Sequence, residues 1–180
     1  SITHTYDALN RQITSANALN EITTYTYDAI GNNKTIVKAN GNTITNTYDD
    51  NSRLLTQSDD IGAIITYTYD NNDNTISRKD AGNHITTYQY DAANRPTKIT
   101  FPNNTTFQFS YDAYGNKIKE INQSGDSTVF SYDKLNRTAS IKDALGHISR
   151  FTYDAQGNLT NLIDAKGNTT SYSYDIRNKI

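Results

Sequence analysis

The chain has no cysteine, no tryptophan and no methionine, and only two prolines in 180 residues. The missing cysteine excludes a disulfide framework, although it does not choose a compartment. No apolar run approaches the ~18 residues that a membrane-crossing helix needs, and the first residues lack a signal-like pattern. Basic runs are missing too: 17 basic and 19 acidic residues are scattered, for a net charge of −2. A phosphate backbone therefore finds no track to follow, which argues against nucleic-acid binding. Hydrophobic residues make up only 34%, and 14 of them are Tyr. That is too polar for a thick core and too aromatic and β-branched for a disordered chain. A sheet with one half-buried face satisfies both limits.

What is present is a repeat. The dipeptide Tyr-Asp occurs at Tyr6-Asp7, Tyr27-Asp28, Tyr48-Asp49, Tyr69-Asp70, Tyr90-Asp91, Tyr111-Asp112, Tyr132-Asp133, Tyr153-Asp154 and Tyr174-Asp175. Every interval is 21 residues. Residues 1–180 thus read as a tandem array of about eight and a half units. The chain starts and stops in mid-repeat, so a fragment of a longer protein is expected.

Counting the Tyr as position 0, position 4 holds Asn10, Gly31, Ser52, Asp73, Asn94, Gly115, Asn136, Gly157 and Asn178, all turn residues. The Asp at position 1 is placed to accept a backbone N–H two residues ahead, an Asx-turn. Position 14 is Asn20, Gly41, Gly62, Asn83, Asn104, Gly125, Gly146 and Gly167, a second turn column that asks for a left-handed residue. Two turns per unit leave two segments of ordinary strand length.

The segment entering each Tyr alternates between hydroxyl or amide residues and aromatics, the latter at Tyr25, Tyr67, Tyr88, Phe109, Phe130, Phe151 and Tyr172. His4 and Asn46 depart from that row. The other segment is less tidy, with Ile13, Ile36, Leu55, Ile76, Ile99, Ile118, Ile141 and Leu162 beside a polar position 8. Helical spacing is absent, and short turns force antiparallel pairing. The fold class is all-β: each unit a hairpin, the array a continuous antiparallel meander. Accumulated strand twist predicts that so wide a sheet curls into a spiral strip or hollow shell.

The units "YDALNR" (residues 6–11), "YDAANRPTKIT" (90–100), "YDKLNRTASIKDALGH" (132–147) and "YDAQGNLTNLIDAKGNTTSYSYD" (153–175) resemble the RHS/YD repeats of bacterial secreted polymorphic toxins and of the related teneurins. The resemblance covers the whole chain. It implies a β-strip that spirals into a shell enclosing a C-terminal toxin or effector domain, in an exported bacterial protein that is secreted or held at the cell surface. The implied partners are further repeats and the enclosed domain of its own chain. Self-cleavage in such toxins uses D-P-x-G motifs, and this chain has no Asp-Pro: Pro96 follows Arg95 and Pro102 follows Phe101. That activity is therefore not carried over. The alternative is an adhesive or fibre array that binds carbohydrate or neighbouring cells.

No catalytic, cofactor or metal residue is singled out. A catalytic set needs unlike groups, and the array repeats the same ones without a nucleophile-elbow pattern. Rows of Tyr can stack on sugars, but cross-strand aromatic–aliphatic pairing explains the spacing more simply. "DNNDN" (residues 70–74) lacks the Gly and distal Glu of a calcium loop, so turn capping is the better reading. His84 and His147 share one repeat position three units apart, too distant for one site. Both prolines fall in residues 94–106, where a bulged or bent strand is expected. Bare strand edges at the two ends invite pairing with other copies.

Overall fold

The computed structural model describes residues 1–62 and 64–179. Among them there are seventeen strands and no helix. The chain divides into two compact units, Ser1–Tyr88 and Gln89–Ile180. The first holds β1 (Thr3–Tyr6), β2 (Gln12–Ala16), β3 (Ile22–Tyr27), β4 (Asn33–Val37), β5 (Thr43–Tyr48), β6 (Leu54–Ser58), β7 (Ile64–Tyr69), β8 (Thr75–Lys79) and most of β9 (Ile85–Tyr90). The second holds β10 (Pro96–Thr100), β11 (Thr106–Tyr111), β12 (Lys117–Ile121), β13 (Ser127–Tyr132), β14 (Thr138–Lys142), β15 (Ile148–Tyr153), β16 (Leu159–Ile163) and β17 (Thr169–Ser171). In each unit consecutive strands pair antiparallel, so the all-β meander expected from the sequence is found in both.

Both turns of a repeat use the same three-residue loop, a turn closed by one left-handed residue. In the first, Asn10 N–H donates to Asp7 C=O (3.0 Å) and Asp7 N–H to Arg11 C=O (2.9 Å). In the second, Asn20 N–H donates to Asn17 C=O (3.0 Å) and Asn17 N–H to Glu21 C=O (3.1 Å). Both turn columns carry positive φ throughout, from Asn178 at 57° to Gly31 at 100°. Asn, Ser and Asp hold this geometry at nine of the seventeen positions, so glycine is favoured there without being required.

The untidy second segment has a physical cause. Thr5 lies opposite Thr14 but Tyr6 opposite Gln12, leaving Ile13 as the extra residue of a bulge. The same shift recurs between β3 and β4, β5 and β6, β7 and β8, β11 and β12, β13 and β14, and β15 and β16. Simple alternation therefore breaks at position 7 in each of these seven pairs. Beyond the bulge, position 9 faces the aromatic row: Tyr25 opposite Ile36, Phe130 opposite Ile141, Phe151 opposite Leu162.

No hydrophobic residue among those described is buried. In β3, Thr23, Tyr25 and Tyr27 are half-buried while Ile22, Thr24 and Thr26 are exposed. Within each unit the strands form a single layer in which the aromatic rows shield one another only partly. On the opposite face, hydroxyls pair across strands: Thr5 with Thr14 (2.6 Å), Thr47 with Thr56 (2.6 Å), Ser131 with Ser140 (2.7 Å). Pro96 opens β10, where no ladder donor is needed, and Pro102 sits in a turn; β10 pairs with β11 without a register shift.

Candidate functional site: the Tyr–Asp seams

Each bulge ends the ladder early. The pairing of β2 with β3 runs only from Thr14 to Ala16, so the C=O of Gln12 lies beyond it. The hydroxyl of Tyr27, one repeat on, donates to that carbonyl at 2.7 Å. Tyr48 does the same to Asn33 (2.9 Å), Tyr69 to Leu54 (2.8 Å), Tyr111 to Pro96 (2.9 Å), Tyr132 to Lys117 (2.9 Å) and Tyr153 to Thr138 (3.0 Å). A phenol is needed because the reach ends in a donor, which Phe cannot supply. The Tyr column is thus a seam between successive repeats.

The Asp beside each Tyr organises its own turn. Asp7 Oδ1 accepts the N–H groups of Leu9 and Arg11 (2.9 Å each), and Oδ2 accepts Arg11 Nε (2.7 Å). The Arg11 backbone N–H, against some loss of hydration and together with the guanidinium, holds this carboxyl below its usual range. Asp70 is lowered chiefly by the Asn74 side-chain amide, again against some loss of hydration. Its carboxylate is filled by Asn72 and Asn74, and Asp73 pairs with Arg53 (2.7 Å). The "DNNDN" stretch is therefore a turn cap, and no metal-binding cluster is found among the described residues.

Position 5 carries a signal that the turn and strand columns do not. Over the first eight units it alternates, Arg11, Asn32, Arg53, Asn74, Arg95, Asn116, Arg137, Asn158, and the ninth carries Lys179. Each Arg lies over the Tyr of the next repeat: Arg11 over Tyr27 (4.7 Å), Arg53 over Tyr69 (4.8 Å), Arg95 over Tyr111 (4.6 Å), Arg137 over Tyr153 (4.6 Å). Its Nη1 also donates to the next repeat's Asp carbonyl, at 3.0 Å for Asp70 and Asp154 and 3.4 Å for Asp28 and Asp112. The period of the array is therefore 42 residues, two unlike hairpins, and the position-5 column announces it in the sequence.

The Teneurin YD-shell family matches residues 1–123, and the RHS repeat family matches residues 132–169 and 153–180. The chain belongs to the Teneurin YD-shell family. It is an RHS/YD-repeat protein, and this segment is a structural part of an RHS shell. It is similar to the crystal structures of TcdB2-TccC3-TEV and TcdB2-TccC3-Cdc42, at 15% identity over 97% of this chain and a TM-score of 0.52. TcdB2-TccC3 without its hypervariable C-terminal region matches at 16% identity with the same coverage and TM-score. The chain spans 13% of the length of each of these, and at such identity the likeness concerns the fold. A search of curated proteins returns no match.

In this YD-shell segment the carbohydrate reading of the Tyr column finds no support. Six of the nine hydroxyls are shown donating to carbonyls, and in four Arg-type repeats a guanidinium covers the ring. His84 and His147 flank turns as well. His84 Nδ1 lies 3.2 Å from Asp80 Oδ2, and His147 Nδ1 lies 2.9 Å from Asp143 Oδ2. An open groove of about 660 Å³ in the first unit is lined by Lys38, Ile44, Gln57, Ile65, Asp80 and His84 among others. Beside it Asn46, which replaces an aromatic, is buried: its amide donates to Asn33 C=O (3.0 Å) and its Oδ1 accepts from Gln57 (3.1 Å).

Proposed function

We propose that these repeats form part of the wall of a container that encloses a C-terminal toxin or effector domain of the same protein and helps deliver it. One observation carries the reading: the strands present a half-buried aromatic face that none of the described residues covers, repeated along a family-defined shell segment with breaks only at His4 and Asn46. A face of that size is seldom left open on a soluble protein and marks an interaction surface. The wall is non-enzymatic and rigid. Its partners are further repeats and the enclosed domain of its own chain, and the whole is exported.

Limited proteolysis of the full-length protein, with and without residues 1–180, tests this. Enclosure predicts that removing the repeats makes the C-terminal domain protease-sensitive and active before delivery. A domain equally protected and equally silent without them refutes it. A glycan array run on the repeats alone separates the adhesive alternative, since a wall segment retains no glycan.

A further inference from the structure

The face opposite the aromatic row changes character in the second unit. Its outward positions on β10–β17 carry Lys98, Lys119, Lys142 and Arg150 and no carboxylate, while Glu120 lies on the other face, opposite Phe109. Val129 lies directly between Lys119 and Lys142, paired with each. Arg150 pairs with Ser140, two residues before Lys142. Strand spacing and rise put neighbouring cations about 8–12 Å apart across the sheet. Lys119, Lys142 and Arg150 are exposed and Lys98 is half-buried, and none is in an ion pair among the described residues. By contrast Lys117, on the aromatic side, is paired with Glu120.

Two acids that follow these strands in sequence, Asp143 after Lys142 and Asp164 after Ile163, are engaged in their own turns. Asp143 accepts from Leu145, His147 and the His147 ring, and Asp164 from Lys166 and Asn168. Four unpaired cations on one acid-free face of a chain of net charge −2 are an asymmetry the fold does not need.

We propose that this face docks on an anionic lipid surface. Charge complementarity names the sign of the partner, and the layout favours a lipid over an acidic polypeptide or a nucleic acid. The cations are spread over a two-dimensional sheet at about the spacing of lipid headgroups, not along one line at the shorter repeat of an extended chain. Exposed Val129 and half-buried Ile121, Ile148 and Ile163 lie among them as an interface would use them. Each basic side chain near an anionic membrane raises partition by about five-fold, so four contribute on the order of 500- to 1,000-fold at low salt. The proposal goes beyond the container reading and does not rest on it.

The test is sedimentation of the 180-residue chain with vesicles of 70% phosphatidylcholine and 30% phosphatidylglycerol, and with phosphatidylcholine alone, at 20 and 150 mM salt. Binding is expected to the anionic vesicles only and to weaken with salt. The variant K98Q/K119Q/K142Q/R150Q is expected to lose on the order of 100-fold or more. The same sites as K98R/K119R/K142R retain binding. A control with an equal charge change in the loops, K134Q/K166Q/R177Q/K179Q, also retains it. Equal binding to both vesicles, equal loss in the loop control, or tighter capture by polyglutamate or duplex DNA at the same salt overturns the proposal.

Discussion

Tyr153→Phe removes one oxygen and leaves the ring in place beneath Arg137. The lost bond is the 3.0 Å contact to Thr138 C=O, which no ladder partner replaces. A neutral hydrogen bond of this kind contributes about 1 kcal/mol, and a carbonyl left partly unsatisfied adds to the cost. Tyr132→Phe, which frees Lys117 C=O, should cost about the same. The two sites then part company on going to Leu. Arg137 stands 4.6 Å over the Tyr153 ring, and no Arg stands over Tyr132, whose preceding repeat has Asn116 at position 5. Loss of aliphatic-versus-aromatic packing is common to both, so the difference between the Leu and Phe variants should be larger at Tyr153 by about 0.5–1 kcal/mol. Repeat arrays open locally, so amide exchange of β14 and β15 against β12 and β13 is the proper assay, with thermal melts as a coarser check at roughly 2–4 °C per kcal/mol. If Phe is neutral at both positions, the seam is ordinary ring packing. If the Leu–Phe difference is equal at both, the guanidinium contributes nothing.

Acid should loosen the turns. Asp7, Asp28, Asp49, Asp70, Asp91, Asp112, Asp133 and Asp154 all have lowered pKa values in the folded chain. Their contribution is therefore complete above the unfolded value of about 3.9 and is lost as pH falls through the lower folded values. Urea midpoints should stay flat from pH 7 to about 5 and decline below 4; a flat profile to pH 2 refutes the carboxylate caps. Asp133→Asn should keep the turn, because Asn122 already caps one by accepting from Ser124 and Asp126, whereas Asp133→Ala should open it, as read by exchange at Leu135 and Arg137. Gly125 holds φ +89° and has open space where a Cβ would stand, so backbone conformation alone sets the cost of a side chain there. Gly125→Asn should then cost a few tenths of a kcal/mol and Gly125→Val about 1–2, and equal melting of the two would show that φ does not govern the column.

The fold was legible because its signals are local and repeated. Turn residues at positions 4 and 14 set the hairpins, and the aromatic row at Tyr25, Phe130 and Phe151 set the face. The bulge was not legible, since nothing in Ile13, Ile118 or Ala139 distinguishes an extra residue from a paired one, and it appears in the sequence only as spoiled alternation. The role of Tyr as a donor was equally hidden: spacing shows that a ring recurs, not that its hydroxyl reaches a carbonyl fifteen residues back. The prolines stand at the first residue of β10 and in a turn, places where a missing donor costs little. The Arg/Asn alternation was in plain view but required comparing repeats two apart.

That alternation extends to a second column and makes the seams unlike one another. Where position 5 is Arg, position 4 of the next repeat is Gly or Asp: a Cβ on Gly115 would lie in ordinary contact with Arg95 Nη1 (3.6 Å), one on Gly31 or Gly157 would meet open space, and Arg53 binds Asp73 at 2.7 Å. Where position 5 is Asn, the next position 4 is Ser52 or an Asn, and in the second unit the two amides meet. Asn116 donates to Asn136 Oδ1 and Asn158 to Asn178 Oδ1, both at 3.0 Å. Deletions separate this two-part code from a generic repeat. Removing residues 132–152, one unit, sets Asn116 against Gly157, a seam with neither the amide bond nor a guanidinium on Tyr153. Removing residues 111–152, two units, sets Arg95 against Tyr153 and Gly157 and restores the Arg-type seam. The larger deletion should therefore leave the newly joined strands better protected in amide exchange than the smaller one. If protection at the join simply falls with the number of residues removed, the seams are interchangeable and the 42-residue period carries no energy.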